Sequence, residues 1–541
     1  MIFKRQLISS SAISVCFALT TTAGQQPPSP ASATTQIALA DESGRVDVRL
    51  PIGMNLSAPT YYSGEIPFRD AFILSSQWFY QHSNTTDPWD LGELELTDDG
   101  WPILERGRGA ACLMMRNLNG RYPRGTYICT YAGTGEIAFG LDANQIRDDP
   151  GRAVFEVLRP TDAGILFKIK WQDRADPIRN VHIWLPGMQP RPGRLQSIFN
   201  PIFLRRLEPF SVIRFMDWQA TNNSTIRTWS RRTQLTARTQ AADYGVAIEY
   251  MIDLCNGLRA DPWVCVPHQA DDDFVRRFAQ LVRSRLQPNR RVYVEYSNEV
   301  WNPQFKQHGW VAQNGDGANH PAKYAALAAN VFSIWRDVFA GQEDRIIRVA
   351  GCQQMNPWVA EVILDQLGEQ VDVLAPAFYF DVREHYHKLE QLGAAATGRD
   401  VLELAKKSLN ERSIPKMRQH AELAERYGVD LITYEGGQHI LPHPAGTTPP
   451  FNQAMWDAQH DPAMYDMYEN LLESFRQMEG RLFVTFNFVG RQDSRWGSWG
   501  HLAYLTQPIA HAPKYRALID HAEKTMSTAT GRNPGQLERF D

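Results

Sequence analysis

The stretch RVYVEYSNEVWN, residues 291–302, begins as a strand and ends as something else. Val292, Tyr293, Val294 and Tyr296 are β-branched or aromatic, the composition of a strand buried on both faces of a parallel sheet. Asn298-Glu299 then brings a carboxyl group to the end of that strand, followed closely by Trp301.

Six similar runs flank this one: SVIRFMDW (211–218), DPWVCVPH (261–268), RIIRVAGC (345–352), VDVLAPAFYF (371–380), VDLITYEGG (429–437) and RLFVTFNFVG (481–490). Between them lie helical patterns such as DDFVRRFAQLVRSRL (272–286), KYAALAANVFSIWRDVF (323–339) and PKMRQHAELAERYG (415–428), with apolar residues at three- and four-residue spacing. Strands alternating with helices predict an α/β fold with a parallel sheet, and its commonest closed form is the (β/α)8 TIM barrel. The eighth strand is expected in PIGMNLSAP (51–59). Residues 90–192 then form an insertion between the first two barrel strands. There GTYICTYAG, GEIAFGL, AVFEVLRP and GILFKIKW alternate apolar and polar residues, the pattern of an antiparallel β-sandwich. The expected division is a first barrel part at 49–89, the inserted sandwich at 90–192, the rest of the barrel at 193–526 and a flexible tail at 527–541. A sandwich so placed either binds carbohydrate or shields one face of the barrel.

The chain has 541 residues, 43% apolar and 21% charged, with a formal net charge of −4. This is the composition of a packed globular body, without the concentrated basic residues that nucleic acid or an anionic membrane demands. Lys4 and Arg5, the apolar run Leu7 to Leu19 and the small residues Thr21-Thr22-Ala23 read as a signal peptide over 1–23, followed by a leader at 24–48. Export to the periplasm or the extracellular space is therefore expected, with no membrane span in the mature chain. In such a compartment Cys112–Cys129 and Cys255–Cys265 are the expected disulfides, with buried free thiols as the alternative. The oligomeric state is not legible.

In a (β/α)8 barrel the C-terminal ends of the strands form the active-site rim. The fourth strand delivers Glu299 there and the seventh delivers Glu435, from opposite sides of the mouth. Two facing carboxyls suit glycoside hydrolysis: one protonates the departing oxygen and the other meets the positive charge developing at the anomeric carbon. A strand-end glutamate that caps a helix or pairs with an arginine is the structural alternative.

The ordered pair YVEYSNE and TYEGG resembles clan A of the glycoside hydrolases, retaining (β/α)8-barrel enzymes. The resemblance covers residues 50–60 and 195–515. It implies that Glu299 is the acid/base and Glu435 the nucleophile. It further implies that Arg214, Asn298 and Tyr379 orient the nucleophile or the sugar, that His268 lies at the third-strand edge, and that Glu295 belongs to the barrel interior. Trp496 or Trp499 would supply the eighth-strand aromatic, and Trp218, Trp301, Trp496 and Trp499 offer flat faces for sugar stacking, with core packing as the alternative for each. NEV replaces the NEP of several members, which bears on specificity more than on reaction type. The implied substrate is a β-linked glycan, with no cofactor.

Other chemistries find little support. His385 with His387, and His439 with His443, lack a third ligand at metal-binding spacing. Asp271-Asp272-Asp273 reads as a helix N-terminus. Neither GxSxG nor GxxxxGK[ST] occurs. A barrel that retains a sugar-binding groove without catalysis is the rival from another class.

Overall fold

The computed structural model describes residues 50–82, 94–191 and 197–530. The expected signal peptide and leader lie outside these residues, as do Cys16 and the tail from 531 onward. Eight parallel strands form a closed barrel: Ile52–Asn55, Val212–Arg214, Asp261–Val266, Val292–Tyr296, Ile346–Cys352, Val373–Pro376, Asp430–Thr433 and Leu482–Thr485. The eighth strand pairs with the first, Gly53 opposite Val484, which completes the circle. The helices Ile248–Leu258, Asp272–Arg285, His320–Val338, Pro357–Leu367, Ile414–Tyr427, Ala463–Gln477 and Pro513–Thr530 accompany the strands. Asp271 caps one of them, its carboxylate accepting from the Phe274 amide at 2.8 Å, with Asp272 and Asp273 in the first turn.

Period-two alternation sorts each strand between two cores. On the fourth strand Val292, Val294 and Tyr296 join the helix-facing core, while Tyr293 points into the barrel. The same parity sends Glu295 inward, where it is 1% exposed. Val212, Trp263, Cys265, Val349, Val373, Ile432 and Val484 fill the rest of the interior. Space there is tight. A Cβ on Gly351 would come within 2.9 Å of the Glu295 Oε1 atom, so the fifth strand must present hydrogen at that point.

VDVLAPAFYF does not form one strand. Val373–Pro376 stays in the barrel, and Phe378–Phe380 pairs instead with Gly436–Gln438 as a two-stranded ribbon beyond the rim. This break carries Tyr379 and Glu435 to the mouth together.

Two four-stranded antiparallel sheets follow the first barrel strand, and they include Phe79–His82, ahead of the expected start at 90. One contains Phe79–His82, Arg108–Met114, Gly135–Leu141 and Ile165–Gln172, and the other Gly125–Ala132, Ala143–Asp149, Arg152–Val157 and Arg179–Trp184. Phe139 of the first stacks on Phe155 of the second at 4.2 Å between ring centroids, joining the sheets through a shared apolar core.

All five described cysteines are free and buried, which corrects both expected disulfides. Cys265 faces the barrel interior, its Sγ 3.4 Å from Glu295 Oε2, whereas Cys255 packs among the helices outside, so the strand layer separates them. Cys112 and Cys129 come from different sheets and stay as separate thiols, with burial pushing Cys112 up to about 12. Sequence proximity had favoured both pairs, but a disulfide depends on Cα separation and Cβ direction. No helix among the described residues is long and apolar enough to cross a membrane.

The tight contact at Gly351 has a measurable consequence. Gly351→Ala should cost about 1–3 kcal/mol in denaturant unfolding, because the carboxylate it displaces is held on its other side. A cost near zero would show that Glu295 is free to move.

Candidate active site

The fourth strand ends at Tyr296, and the chain then leaves extended geometry: φ is 59° at Ser297 and 41° at Glu299. Positive φ is uncommon for residues with a Cβ and concentrates at functional sites. Here it turns Asn298 and Glu299, which a continuing strand would send to opposite faces, toward one mouth. Both are buried, at 2% and 4% exposure.

Arg214, at the end of the second strand, is 0% exposed. Its Nη1 donates to Asn55 Oδ1 at 3.0 Å and to Glu435 Oε1 at 3.1 Å. Its Nη2 donates to Glu295 Oε2 and to Asn298 Oδ1, each at 2.8 Å, and its Nε also reaches Glu295 Oε2, at 3.2 Å. Trp263 Nε1 donates to that same Glu295 oxygen at 2.9 Å. Burial alone would lower the Arg214 pKa, but the carboxylates of Glu295 and Glu435 raise it overall, so the group stays cationic.

The two glutamates at the mouth have different partners. Glu435 Oε2 accepts from the Tyr379 hydroxyl at 2.9 Å, and its Oε1 accepts from Arg214. Glu299 Oε1 accepts from the Tyr434 hydroxyl at 2.7 Å, and its Oε2 accepts from Asn302 Nδ2 at 3.1 Å. Burial raises the pKa of both carboxyls, Glu435 to about 8, where Arg214 pulls downward and the charge of Glu299 pushes up. Each therefore titrates in the field of the other. Of the two, only Glu435 touches a guanidinium, and a charge-assisted hydrogen bond stabilises its anion, so the contacts favour the proton on Glu299.

The remaining expected residues divide between the mouth and the core. Asn298 has its Oδ1 on Arg214 and its Nδ2 on Asn222 Oδ1 at 3.1 Å, leaving one amide proton uncommitted. Trp301 sits edge-on to Tyr434, 5.9 Å between centroids. His268 lies two residues past the third strand, beside Gln269 and Trp310, and its buried Nδ1 has no partner among the described residues. Trp496 is 44% exposed and Trp499 8%; both line a groove of about 810 Å³ beside the mouth. Trp218 is a correction: it is 0% exposed and packed against Phe68, Phe203 and Phe215, so it offers no face to a sugar. The aromatic that directly follows the eighth strand is Phe486, with Trp499 edge-on to it at 6.0 Å from a later loop.

Asn55, Tyr434, Asn302 and Asn222 also belong to this network. Tyr434 had a signal, since it adjoins Glu435 and has the inward parity of Ile432. Asn302, three residues after Glu299, had only its spacing. Asn55 and Asn222 had none. Among the described residues no group of three or more His, Cys, Asp or Glu side chains is placed to hold a metal.

No family model and no curated protein matches the chain. Solved structures that resemble it include a GH51 arabinofuranosidase from Xanthomonas axonopodis pv. citri, at 15% identity and TM-score 0.34 over 56% of this chain and 62% of that one. A family 51 α-L-arabinofuranosidase from Bifidobacterium longum is 13% identical over 61% of this chain and 68% of that one, with TM-score 0.38. Native xylanase10C from Cellvibrio japonicus is 9% identical over 83% and 98%, with TM-score 0.36. The chain thus spans less than two thirds of the Xanthomonas enzyme's length.

Arg214→Met should destabilise the fold by about 3–5 kcal/mol, because it strands two buried carboxyls. Adding Glu295→Gln should restore part of that stability in the same unfolding assay. If Arg214→Met alone costs under about 1 kcal/mol, the buried ion network contributes little.

Proposed function

We propose that the protein is a retaining β-glycoside hydrolase acting on a polysaccharide or oligosaccharide, with Glu435 as nucleophile and Glu299 as acid/base. One observation carries this reading. Two buried carboxyls share one barrel mouth, and only Glu435 is bound to a permanent cation. A nucleophile must be anionic while its partner keeps a proton, and the unequal contacts divide the roles in that way.

The steps follow from the contacts. Glu435 attacks the anomeric carbon as Glu299 protonates the departing oxygen, and a glycosyl ester forms on Glu435. Arg214 and Tyr379 hold the attacking carboxylate in place through one hydrogen bond to each oxygen. Glu299, now anionic, accepts a proton from the water that cleaves the ester, which regenerates both groups. Tyr434 and Asn302 solvate that transient anion. The uncommitted amide proton of Asn298 is suited to the sugar 2-hydroxyl, and Trp301 offers an apolar face beside Glu299. Export to the periplasm or the extracellular space is part of the proposal and rests on the N-terminal charge and apolar run alone.

Glu435→Gln should lower turnover by about 10³-fold or more on any β-glycan the wild type cleaves. Glu435→Gly with added azide should release a glycosyl azide of inverted configuration, read by proton NMR. Wild-type turnover in Glu435→Gln removes the assignment. Tyr434→Phe deletes a hydrogen bond that favours ionised Glu299, so the Glu299 pKa rises. Because Glu299 must be protonated to act, the alkaline limb of the kcat/KM profile should move to higher pH. An unmoved or lowered limb argues against Glu299 as the acid.

A further inference from the structure

The groove beside the mouth is asymmetric. Its walls come from the loops after the first, second, seventh and eighth strands and from residues 117–121 of the sandwich. No residue from the loops after the third to sixth strands lines it. Glu299 rises from the fourth strand, diametrically opposite the eighth, so the groove lies on the Glu435 side. In a double displacement the attacked sugar rests on the nucleophile and the leaving group lies toward the acid. The groove therefore takes the part of the glycan that does not depart.

Two polar acceptors on its wall lack donors. Asp217 lines the groove three residues after Arg214, and its carboxylate has no hydrogen-bond or ion-pair partner among the described residues. That arginine binds Glu435, and burial raises the Asp217 carboxyl to about 7 while the Arg214 cation pulls it down. Asn487, directly after Phe486, has its Oδ1 buried with no partner. Around them Phe486, Trp496 and Trp499 supply apolar faces. The Trp496 ring lies so close to Gly446 that a Cβ there would come within 2.5 Å of it, which fixes the ring against the loop. Half-buried acceptors without donors cost stability unless a ligand satisfies them.

Sugar hydroxyls and an ammonium are both donors of the right kind, but the charges on the groove separate them. Arg121 stacks on Tyr504 at 4.6 Å and Arg495 on Trp496 at 5.4 Å, both on the groove wall, which disfavours a polycationic glycan. A uronate beside Asp217 would set two carboxyl groups against each other. A neutral sugar is left. Resting on the glycosidase reading above, we propose that Asp217 is a specificity-determining residue that accepts hydrogen bonds from two adjacent hydroxyls of a neutral sugar unit on the non-leaving side.

The test uses the full chain, Asp217→Ala and Asp217→Asn, with 2,4-dinitrophenyl β-glycosides of glucose, galactose, mannose, xylose and glucosamine. The monodeoxy analogues of the best substrate complete the set. Asp217→Ala should lower kcat/KM by about 10- to 100-fold for each hydroxyl hydrogen bond it removes. On the wild type, deleting either of the two bound hydroxyls should cost a similar factor, and in Asp217→Ala that penalty should collapse. A variant weakened only in structure would keep the deoxy penalty, so equal penalties in both proteins overturn the proposal. An Asp217-dependent preference for glucosamine over glucose overturns the choice of a neutral sugar. Loss of activity in Glu435→Gln with none in Asp217→Ala sinks this inference and leaves the catalytic reading intact. A wild type inert on every such glycoside and on every β-glycan, or active without Glu435, brings down both.

Discussion

Arg214 is a guanidinium without solvent, and everything at the barrel mouth is arranged around satisfying it. Water is replaced by Asn55, Glu295, Asn298 and Glu435, with the Trp263 and Tyr434 rings 5.4 and 5.1 Å from the cation. A charge so enclosed tolerates little displacement, since each partner moved away leaves part of the desolvation cost uncompensated. Glu295 anchors the cation from below. Glu435 meets it from the rim.

Seven of the eight barrel strands, or the residues just past them, contribute side chains to that arrangement, and the remaining one contributes by leaving room. Asn55, Arg214, Trp263, Glu295, Tyr379, Glu435 and Phe486 come from the first, second, third, fourth, sixth, seventh and eighth. Gly351 on the fifth provides the space for Glu295. Backbone departures place the last atoms: positive φ at Ser297 and Glu299, and the ribbon of Phe378–Phe380 with Gly436–Gln438. A regular strand end would have presented one carboxyl at a time. Breaking regularity after the fourth and sixth strands turns Glu299 toward Tyr434 and Tyr379 toward Glu435.

The sequence showed the barrel because strands buried on both faces appear as apolar runs with sharp ends, and it showed the glutamates because they terminate two of those runs. It failed where position depends on which loop folds over which. Trp218 lies only four residues beyond Arg214, yet its loop turns back into the core. Trp496 and Trp499 come after the eighth strand, but Phe486 takes the place at its end. The cysteine pairs looked plausible on spacing because spacing carries no information about which side of a sheet a side chain occupies. Asn55 and Asn222 were invisible for a related reason: an asparagine that orients another side chain has no periodic signature. The sandwich was legible as strands, but nothing in its pattern indicated that residues 117–121 line the groove beside Trp496.

The division of labour between the two carboxyls can be read directly with a 2,4-dinitrophenyl 2-deoxy-2-fluoro-β-glycoside of the sugar the wild type turns over fastest. Such a reagent forms the glycosyl ester and releases it slowly, so digestion and mass spectrometry locate the bond. The expected result is one fluoroglycosyl group, on Glu435. An ester on Glu299, or inactivation-free turnover with no ester on either residue, contradicts the assignment of the anion to the carboxyl that touches Arg214.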